Sequence, residues 1–261
     1  MRDKENVLTN EITIVESLEQ LKENIFLLKV LSPGIASVIK PSQFCNIKVS
    51  ELSYPLLRRP FSVSDIEGDF IYFMFDVHGT GTEILSKKKK GDKLEILGPL
   101  GNGFSYEKPF GKAVFAAGGL GAAPFPYLTK MLDEKVEVLS YVGARSEAYV
   151  IDYKMKNFHP ATDDGSLGFK GTVVELMEQE KDKFINDDSI IFTCGPTPML
   201  RAVKEFAMKY NIECQISTES AMACGFGICQ GCAIESTEKD SDKYLLVCKD
   251  GPVFDAKDIN L

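Results

Sequence analysis

Between Glu11 and Leu97, apolar and polar residues alternate in short runs that glycine, proline and polar residues separate. The runs are rich in β-branched and aromatic side chains, and this combination predicts strands. Six strands are predicted, over residues 12–15, 25–30, 44–49, 61–64, 70–77 and 93–97. Six strands with such short connections predict a small closed antiparallel β-barrel.

After Lys112 the pattern changes, because apolar runs of strand length alternate with stretches of helical spacing. The predicted strands cover residues 113–117, 136–142 and 189–193, and the predicted helices cover residues 125–134, 173–183 and 199–210. This succession predicts a parallel sheet with helices on its faces. We therefore expect a multi-domain β plus α/β protein, with a barrel over residues 1–106, an α/β domain over residues 107–215 and a small third domain over residues 216–261.

The 261-residue chain carries a formal net charge of -8. This charge argues against nucleic acid as a partner, because nucleic acid requires a basic surface. No basic amphipathic helix indicates a membrane surface, and no apolar run is long enough to span a bilayer. The charged start of the chain is followed by no apolar signal segment. The expectation is a cytoplasmic protein that binds neither nucleic acid nor membrane.

The carboxyl-terminal region contains a cysteine pattern of defined spacing, C-x4-C-x2-C-x15-C, whose members are Cys224, Cys229, Cys232 and Cys248. Three thiolates within nine residues reach one centre only if the backbone turns tightly. Gly225, Gly227 and Gly231 allow such turns and remove side chains that would collide with inorganic sulfide. The spacing is that of plant-type 2Fe-2S clusters, so we expect a one-electron carrier.

Two other uses of these cysteines are less favoured. A structural zinc site usually draws its four cysteines from two short C-x(2–4)-C knuckles, whereas this chain has one three-cysteine loop and one distant cysteine. Disulfides need an oxidising compartment, which an odd total of seven cysteines without a signal peptide does not support. Cys45 and Cys214 lie outside the pattern and are predicted to be buried core thiols.

Two short motifs in the barrel region together favour a flavin. Arg59-Pro60-Phe61-Ser62 places a guanidinium, an aromatic ring and a hydroxyl along one extended strand, where they can address a pyrophosphate and a flat ring. Gly79-Thr80-Gly81-Thr82 leads into a short predicted helix, whose first amides can bind an anion. Each motif alone is also compatible with a plain strand end or a capped helix.

Two glycine-rich turns, Gly118-Gly119-Leu-Gly121 and Cys194-Gly195-Pro196, follow predicted strands of the α/β domain. In parallel sheets, ligands bind beyond the carboxyl ends of the strands, where tight turns let amides reach a phosphate. In the acidic stretch 162–166, Asp163 or Asp164 could accept ribose hydroxyls, and a plain acidic turn explains the stretch equally well.

The order of these motifs resembles that of the ferredoxin-reductase-like flavoproteins, which bind FAD on a barrel and a nicotinamide nucleotide on the following α/β domain. More narrowly, the chain resembles the electron-transfer subunits of class 1B, NAD-linked dihydroorotate dehydrogenases, in which the 2Fe-2S domain comes last. The resemblance covers essentially the whole chain, and its most specific parts are residues 162–166, 168–171, 222–225 and 247–256.

The resemblance implies a set of site residues. FAD would be bound by Arg59, Pro60, Phe61, Ser62, Met74, Phe75, Asp76, Gly81 and Thr82. NAD would be bound by Gly118, Gly119, Gly121, Cys194, Gly195 and Pro196, and the cluster by Cys224, Cys229, Cys232 and Cys248. No residue is assigned a catalytic role.

The resemblance also implies a partner. Electrons would leave dihydroorotate at the FMN of a separate catalytic subunit and pass through the cluster and FAD to NAD, in a complex of two subunits of each kind that serves pyrimidine biosynthesis. Nothing in the chain resembles a dihydroorotate site, which fits a subunit of the oxidoreductase. The alternatives are an NAD(P)H-dependent flavin and iron–sulfur reductase component of another redox complex, or a non-catalytic redox-sensing module.

Overall fold

The computed structural model describes residues 8–185, 188–237 and 243–261. Its amino-terminal part contains six strands: β1 (Thr9–Lys22), β2 (Ile25–Leu31), β3 (Phe44–Lys48), β4 (Arg59–Glu67), β5 (Phe70–Asp76) and β6 (Lys93–Leu100). They form a closed antiparallel barrel in the order β1-β2-β5-β4-β3-β6. The predicted barrel is therefore confirmed.

Side-chain alternation separates the inside of the barrel from its outer face. Along β1, Thr13 and Val15 are buried, whereas Ile12 and Ile14 point outward and are exposed. Two short helices, α1 (Pro33–Ala36) and α2 (Thr80–Leu85), lie in the connections after β2 and β5. The second is the helix predicted after the glycine–threonine motif.

The second part of the chain alternates strands and helices. Its strands are β7 (Lys112–Gly118), β8 (Glu137–Ala144), β9 (Phe158–Thr162), β10 (Phe169–Lys170), β11 (Ser189–Cys194) and β12 (Glu213–Ser217). Its helices are α3 (Phe125–Met131), α4 (Val173–Glu180) and α5 (Thr197–Tyr210). The six strands pair in parallel, as predicted. The strands β9, β10 and β12 are additional to the predicted ones.

The described residues of the last part of the chain, 218–237 and 243–261, form four short strands, β13 (Ala233–Ser236), β14 (Tyr244–Leu246), β15 (Val253–Asp255) and β16 (Ile259–Asn260). Three of them form a small sheet in the order β14-β13-β16, whereas β15 pairs antiparallel with β12 at the edge of the large sheet. The small sheet is thereby fixed against the α/β domain.

The barrel and the large sheet share one hydrophobic core. Leu27 and Met74 from the barrel pack into the same cluster as Phe115, Phe125 and Phe192 from the α/β domain. The rings of Phe115 and Phe125 stack with centroids 4.6 Å apart. This shared core fixes the outer wall of the barrel against one face of the sheet. Among the described residues, no helix is long and apolar enough to cross a bilayer.

Candidate functional site

The four patterned cysteines come together at the carboxyl-terminal end of the chain. The Cys229 amide donates to Cys224 Sγ at 3.4 Å, and the Cys248 amide donates to Cys232 Sγ at 3.4 Å. The Gly227 amide donates to Cys248 Sγ at 3.1 Å, which joins the two pairs. Within the described ranges, no three His, Cys, Asp or Glu side chains converge as a single metal ion would require.

The turn that holds three of the cysteines, residues 224–232 and called here the cluster loop, is fitted closely to the barrel. Asn46 on β3 donates from Nδ2 to the Cys224 carbonyl at 3.2 Å. Gly225 has φ of +82°, and a Cβ atom there would lie 2.0 Å from Asn46 Nδ2. Glycine is therefore required at this position both by the backbone conformation and by the contact.

The amides of the cluster loop favour a thiolate. Burial opposes ionisation, but the amides of Cys229, Phe226 and Ile228 lower the pKa of Cys224 to about 6. Burial and the neighbouring Cys232 raise the pKa of Cys248 to about 12. Cys232 and Cys248 are buried, whereas Cys229 is exposed. Within the set of four cysteines, one side therefore faces the protein interior and the other side faces solvent.

A cleft lies where the barrel meets the α/β domain. Five predicted FAD residues line it, namely Pro60, Phe61, Ser62, Met74 and Asp76, and Cys194 lines it from the sheet. Its other lining residues are Phe44, Leu120, Ala123, Pro124, Thr218, Glu219, Ser220, Met222 and Pro252. The cleft is therefore formed jointly by the barrel, the sheet edge and the segment that leads into the cluster loop.

Other residues predicted for FAD lie outside this lining. A Cβ atom on Gly81 would lie 2.5 Å from Arg59 Nε, so the guanidinium lies directly against α2. Thr82 Oγ1 accepts from the His78 amide at 2.7 Å and donates to the Gly79 carbonyl at 3.2 Å. Phe75 is fully buried in the barrel core, 5.8 Å from the Phe61 ring between centroids. Its side chain supports Phe61 from inside the barrel.

The two glycine-rich turns of the α/β domain meet at the carboxyl ends of β7 and β11, which are paired neighbours. A Cβ atom on Gly121 would lie 2.1 Å from the Cys194 carbonyl oxygen, and one on Gly118 would lie 2.6 Å from Pro196. Gly195 also lies directly against the Gly118 backbone, so the two turns are in contact with each other. Gly119 has φ of +52° and open space where a side chain would be.

Two ionisable groups in the cleft are tuned by their surroundings. Burial raises the pKa of Glu219, and the nearby Asp76 carboxylate raises it further. Glu219 is exposed where it lines the cleft, which Asp76 also lines. Burial also raises the pKa of Cys194 to about 12, and the charge of Glu219 acts in the same direction. Cys194 is therefore a neutral thiol at physiological pH.

Comparison with known proteins places this geometry in a family. The family model for the iron–sulfur cluster binding domain of dihydroorotate dehydrogenase B matches residues 219–260. Over 223 residues the chain is 40% identical to the dihydroorotate dehydrogenase B (NAD(+)) electron transfer subunit of Caldanaerobacter subterraneus subsp. tengcongensis, covering 84% of this chain and 86% of that one. The subunit of the same name from Desulforamulus reducens is 36% identical over 239 residues, with coverages of 88% and 90%.

The chain belongs to the family of dihydroorotate dehydrogenase B electron transfer subunits. A solved structure, that of the NADH-dependent reduced ferredoxin-NADP oxidoreductase described for flavin-based electron bifurcation, has the same fold. It superimposes with a TM-score of 0.84 at 26% identity, covering 96% of this chain and 90% of that chain. The ferredoxin-reductase-like fold expected from the motifs is thereby confirmed.

In this member of the family, several residues of the cleft were missed by the sequence patterns. Thr218, Glu219 and Ser220 follow β12 directly, at the same sheet edge as the glycine-rich turns. The rule that ligands bind beyond strand ends would have indicated them, had the short strand β12 been recognised. Phe44 and Met222 gave no polar signal, yet both line the cleft and also pack in the core that contains Cys232 and Cys248.

Proposed function

We propose that this chain, an electron transfer subunit by family, binds FAD in the cleft and a 2Fe-2S cluster on its four patterned cysteines, and delivers electrons from an FMN-containing catalytic subunit to NAD. The observation that carries the proposal is the adjacency of the cleft and the thiols: Phe44 and Met222 belong to both. These two apolar side chains thus border both proposed cofactor sites.

The residues of the cleft fit a flavin. Phe61, Met74 and Pro60 offer apolar surface for a flat ring, and Ser62 offers a hydroxyl at its edge. Arg59 beside Gly81 supplies a cation for the pyrophosphate. The barrel would therefore hold the cofactor through residues 1–106. Residues of the α/β domain and of the segment 218–222 form the remaining walls of the cleft.

The donor set fits a 2Fe-2S cluster. Four thiols in two pairs match two irons that each take two cysteines, and the amides of Cys229, Gly227 and Cys248 already point at sulfur. The amides around Cys224 favour its ligating thiolate form. We assign Cys224, Cys229, Cys232 and Cys248 as ligands within a domain of residues 216–261.

For NAD we propose the paired turns at the sheet edge, within residues 107–215. Gly118, Gly119 and Gly121 expose backbone amides, and Cys194, Gly195 and Pro196 close the opposite side. Cys194 also lines the cleft, so a nucleotide on these turns would present its ring to the flavin site. When bound, the flavin exchanges two electrons with the nicotinamide and single electrons with the cluster. The protein orients the flavin, the nicotinamide and the cluster relative to one another and shields them from water.

The partner we propose is an FMN-containing dihydroorotate-oxidising subunit, in a complex of two subunits of each kind. Members of the family are named electron transfer subunits, and a subunit has a partner. The exposed side of the cluster loop gives such a partner access to the thiols. Sedimentation analysis of the purified complex checks the stoichiometry, and a mass other than that of four subunits would contradict it.

The experiment that tests the function uses the loaded chain mixed with the catalytic subunit of the same organism. Dihydroorotate and NAD are added, and NADH formation is followed by absorbance. We expect NADH to form only when both subunits are present. No NADH from a mixture that retains flavin and cluster spectra would contradict the proposal.

Cys229→Ser separates the cluster from the flavin in the same assay. We expect this variant to lose or strongly change the 2Fe-2S absorbance, to keep FAD, and to lose NADH formation. Cys214→Ser is the matched control, because Cys214 is a buried thiol in the core of the α/β domain, away from the cluster loop. An unchanged cluster spectrum in Cys229→Ser would rule out Cys229 as a ligand.

A second candidate function is favoured by one observation. The solved structure with a TM-score of 0.84 is that of an NADH-dependent reduced ferredoxin-NADP oxidoreductase. A chain of that kind would exchange electrons with a ferredoxin-linked partner. Replacing dihydroorotate by reduced ferredoxin in the same assay distinguishes the two functions.

A further inference from the structure

Large apolar side chains are exposed in the connection between β3 and β4, residues 49–58. Leu52 is 75% exposed, Tyr54 68% and Leu56 80%, and Leu57 is also exposed. Four such residues within six positions form an apolar patch, which is uncommon on a surface that only meets water. No residue of the cleft lies in this connection.

The patch is joined to the cluster loop by a chain of direct contacts. Arg58, next to Leu57, donates from Nη1 to the Asn46 carbonyl at 3.5 Å and to the Glu95 carbonyl at 3.1 Å. Asn46 in turn donates to the Cys224 carbonyl at 3.2 Å. Two side chains therefore separate the apolar connection from the first cysteine of the cluster loop.

The outer face of β1 lies on the far side of Glu95 from the connection 49–58 and extends the apolar surface there. Ile12, 75% exposed, is paired across the sheet with Glu95, and Ile14 is exposed beside it. Asn10 donates to Glu95 Oε1 at 2.9 Å, and Arg58 binds the same carboxylate oxygen. Glu95 is thus a satisfied polar centre with apolar residues on both sides.

The cluster loop presents apolar residues of its own. Ile228 is 77% exposed and Phe226 is 41% exposed, and both come just before the exposed Cys229 in the chain. We define the docking face as the outer side of β1, the connection 49–58 and residues 226–228. Large exposed apolar residues grouped near a paired carboxylate, Glu95, are typical of protein–protein interfaces.

We propose that the docking face binds the catalytic subunit, an inference that rests on the proposed function. The occupant follows from the position of the face, because electrons enter or leave through the exposed side of the cluster loop and the apolar residues continue outward from that side. A partner seated there covers the thiols and the connection 49–58 together. The inference extends the contact beyond the cluster domain onto the barrel.

The test compares two barrel variants with a control. Leu56→Ser and Ile12→Ser are made in the full chain loaded with FAD and cluster, and each is titrated with the catalytic subunit. We expect each to raise the dissociation constant about tenfold, the loss typical of a large apolar interface side chain. Met208→Ser on α5, where Met208 is 60% exposed away from this face, is expected to bind as the wild type does.

Hydrogen exchange of the wild-type chain gives a second measurement that needs no variant. Amides of residues 51–57 and 226–228 are expected to gain protection in the complex, and those of α5 are not. Wild-type affinity in both barrel variants, or unchanged exchange in residues 51–57 within a formed complex, would overturn the docking face while leaving the function intact. Failure of the wild-type chain to bind the catalytic subunit would overturn the proposed function and this inference with it.

Sedimentation of the chain alone distinguishes self-association through the docking face from binding of the catalytic subunit. If the docking face pairs two copies of this chain, Leu56→Ser would convert a dimer to a monomer in the absence of the catalytic subunit. That result would overturn the assignment. If the wild-type chain and Leu56→Ser are both monomers and the variant binds the catalytic subunit more weakly, the assignment is supported.

Discussion

Glu219 illustrates how a single residue couples stability to pH. Its pKa is raised by burial and by the Asp76 carboxylate, so the folded chain binds this proton more tightly than the unfolded chain does. The contribution of Glu219 to stability therefore increases as pH falls through the raised pKa, and its charged form is unfavourable near neutral pH. Glu219→Gln is expected to raise the melting temperature of the flavin-free chain at pH 7.

The gain should disappear on acidification, because the wild-type carboxyl is then neutral as well. Melting temperatures of both proteins between pH 4 and pH 8 check this dependence. In an Asp76→Asn background, the effect of Glu219→Gln should shrink, since one cause of the shift has been removed. A gain that is the same at all pH values would show that packing, and not charge, is responsible.

At the scale of elements, the packing of the cluster loop against β3 can be tested by substituting two glycines. Gly225 and Gly227 have similar φ values, +82° and +88°, so alanine costs backbone strain at both. Only Gly225 faces β3, where a Cβ atom would lie 2.0 Å from Asn46 Nδ2; at Gly227 the nearest atom is the flexible Lys249 side chain at 3.0 Å. Gly225→Ala should therefore cost about 1–3 kcal/mol more than Gly227→Ala, the typical cost of overpacking.

Loss of cluster absorbance on heating measures the difference between the two variants. In an Asn46→Ala background the added methyl group no longer meets the amide, so the excess cost at Gly225 should fall. Equal losses in the two variants, with no effect of the background, would show that the contact with β3 does not support the loop.

The elements also show what the sequence could and could not predict. All six barrel strands were predictable because alternation, aromatic residues and turn residues coincide. β9 was not, because its sequence Phe-His-Pro-Ala-Thr contains a proline and little apolar periodicity. β12 is short, and its burial depends on a distant partner, β15, that joins it from the end of the chain.

The cysteine spacing was visible because three of the four residues are close in the chain, and Gly225 and Gly227 have the positive φ values that the tight turns require. At the third turn position the structure differs, since Gln230 rather than Gly231 has a positive φ, +57°. The contacts of Asn46 with the cluster loop span 178 residues and leave no local signature. Cys45 and Cys214 are buried and free, as predicted.

At the scale of the whole molecule, the cleft depends on how the barrel is held against the α/β domain. Asp65 on β4 has a side chain that is 3% exposed, and Lys154 Nζ lies 2.6 Å from its Oδ2. Lys130 on α3 lies 3.5 Å from Oδ1 of the same carboxylate. Tyr127 of α3 adds a hydrogen bond of 3.0 Å to the Ile39 carbonyl. Asp65 is thus a barrel carboxylate that two α/β-domain cations share.

We expect Asp65→Asn to weaken this attachment by about 1–3 kcal/mol, because the charge that holds both lysines is lost while its shape remains. Glu67→Gln is the matched control: it lies on the same strand, its hydrogen-bonded ion pair with Lys29 stays within the barrel and faces solvent, and the charge of Lys154 acts on it less than Lys29 does. Denaturation followed by circular dichroism, with hydrogen exchange of α3 and β4, measures both variants. Because the cleft is formed by both domains, Asp65→Asn should also lower FAD affinity, whereas Glu67→Gln should not. Equal stability and equal FAD binding in the two variants would mean that the shared apolar core alone, Met74 and Leu27 against Phe125, holds the domains in place.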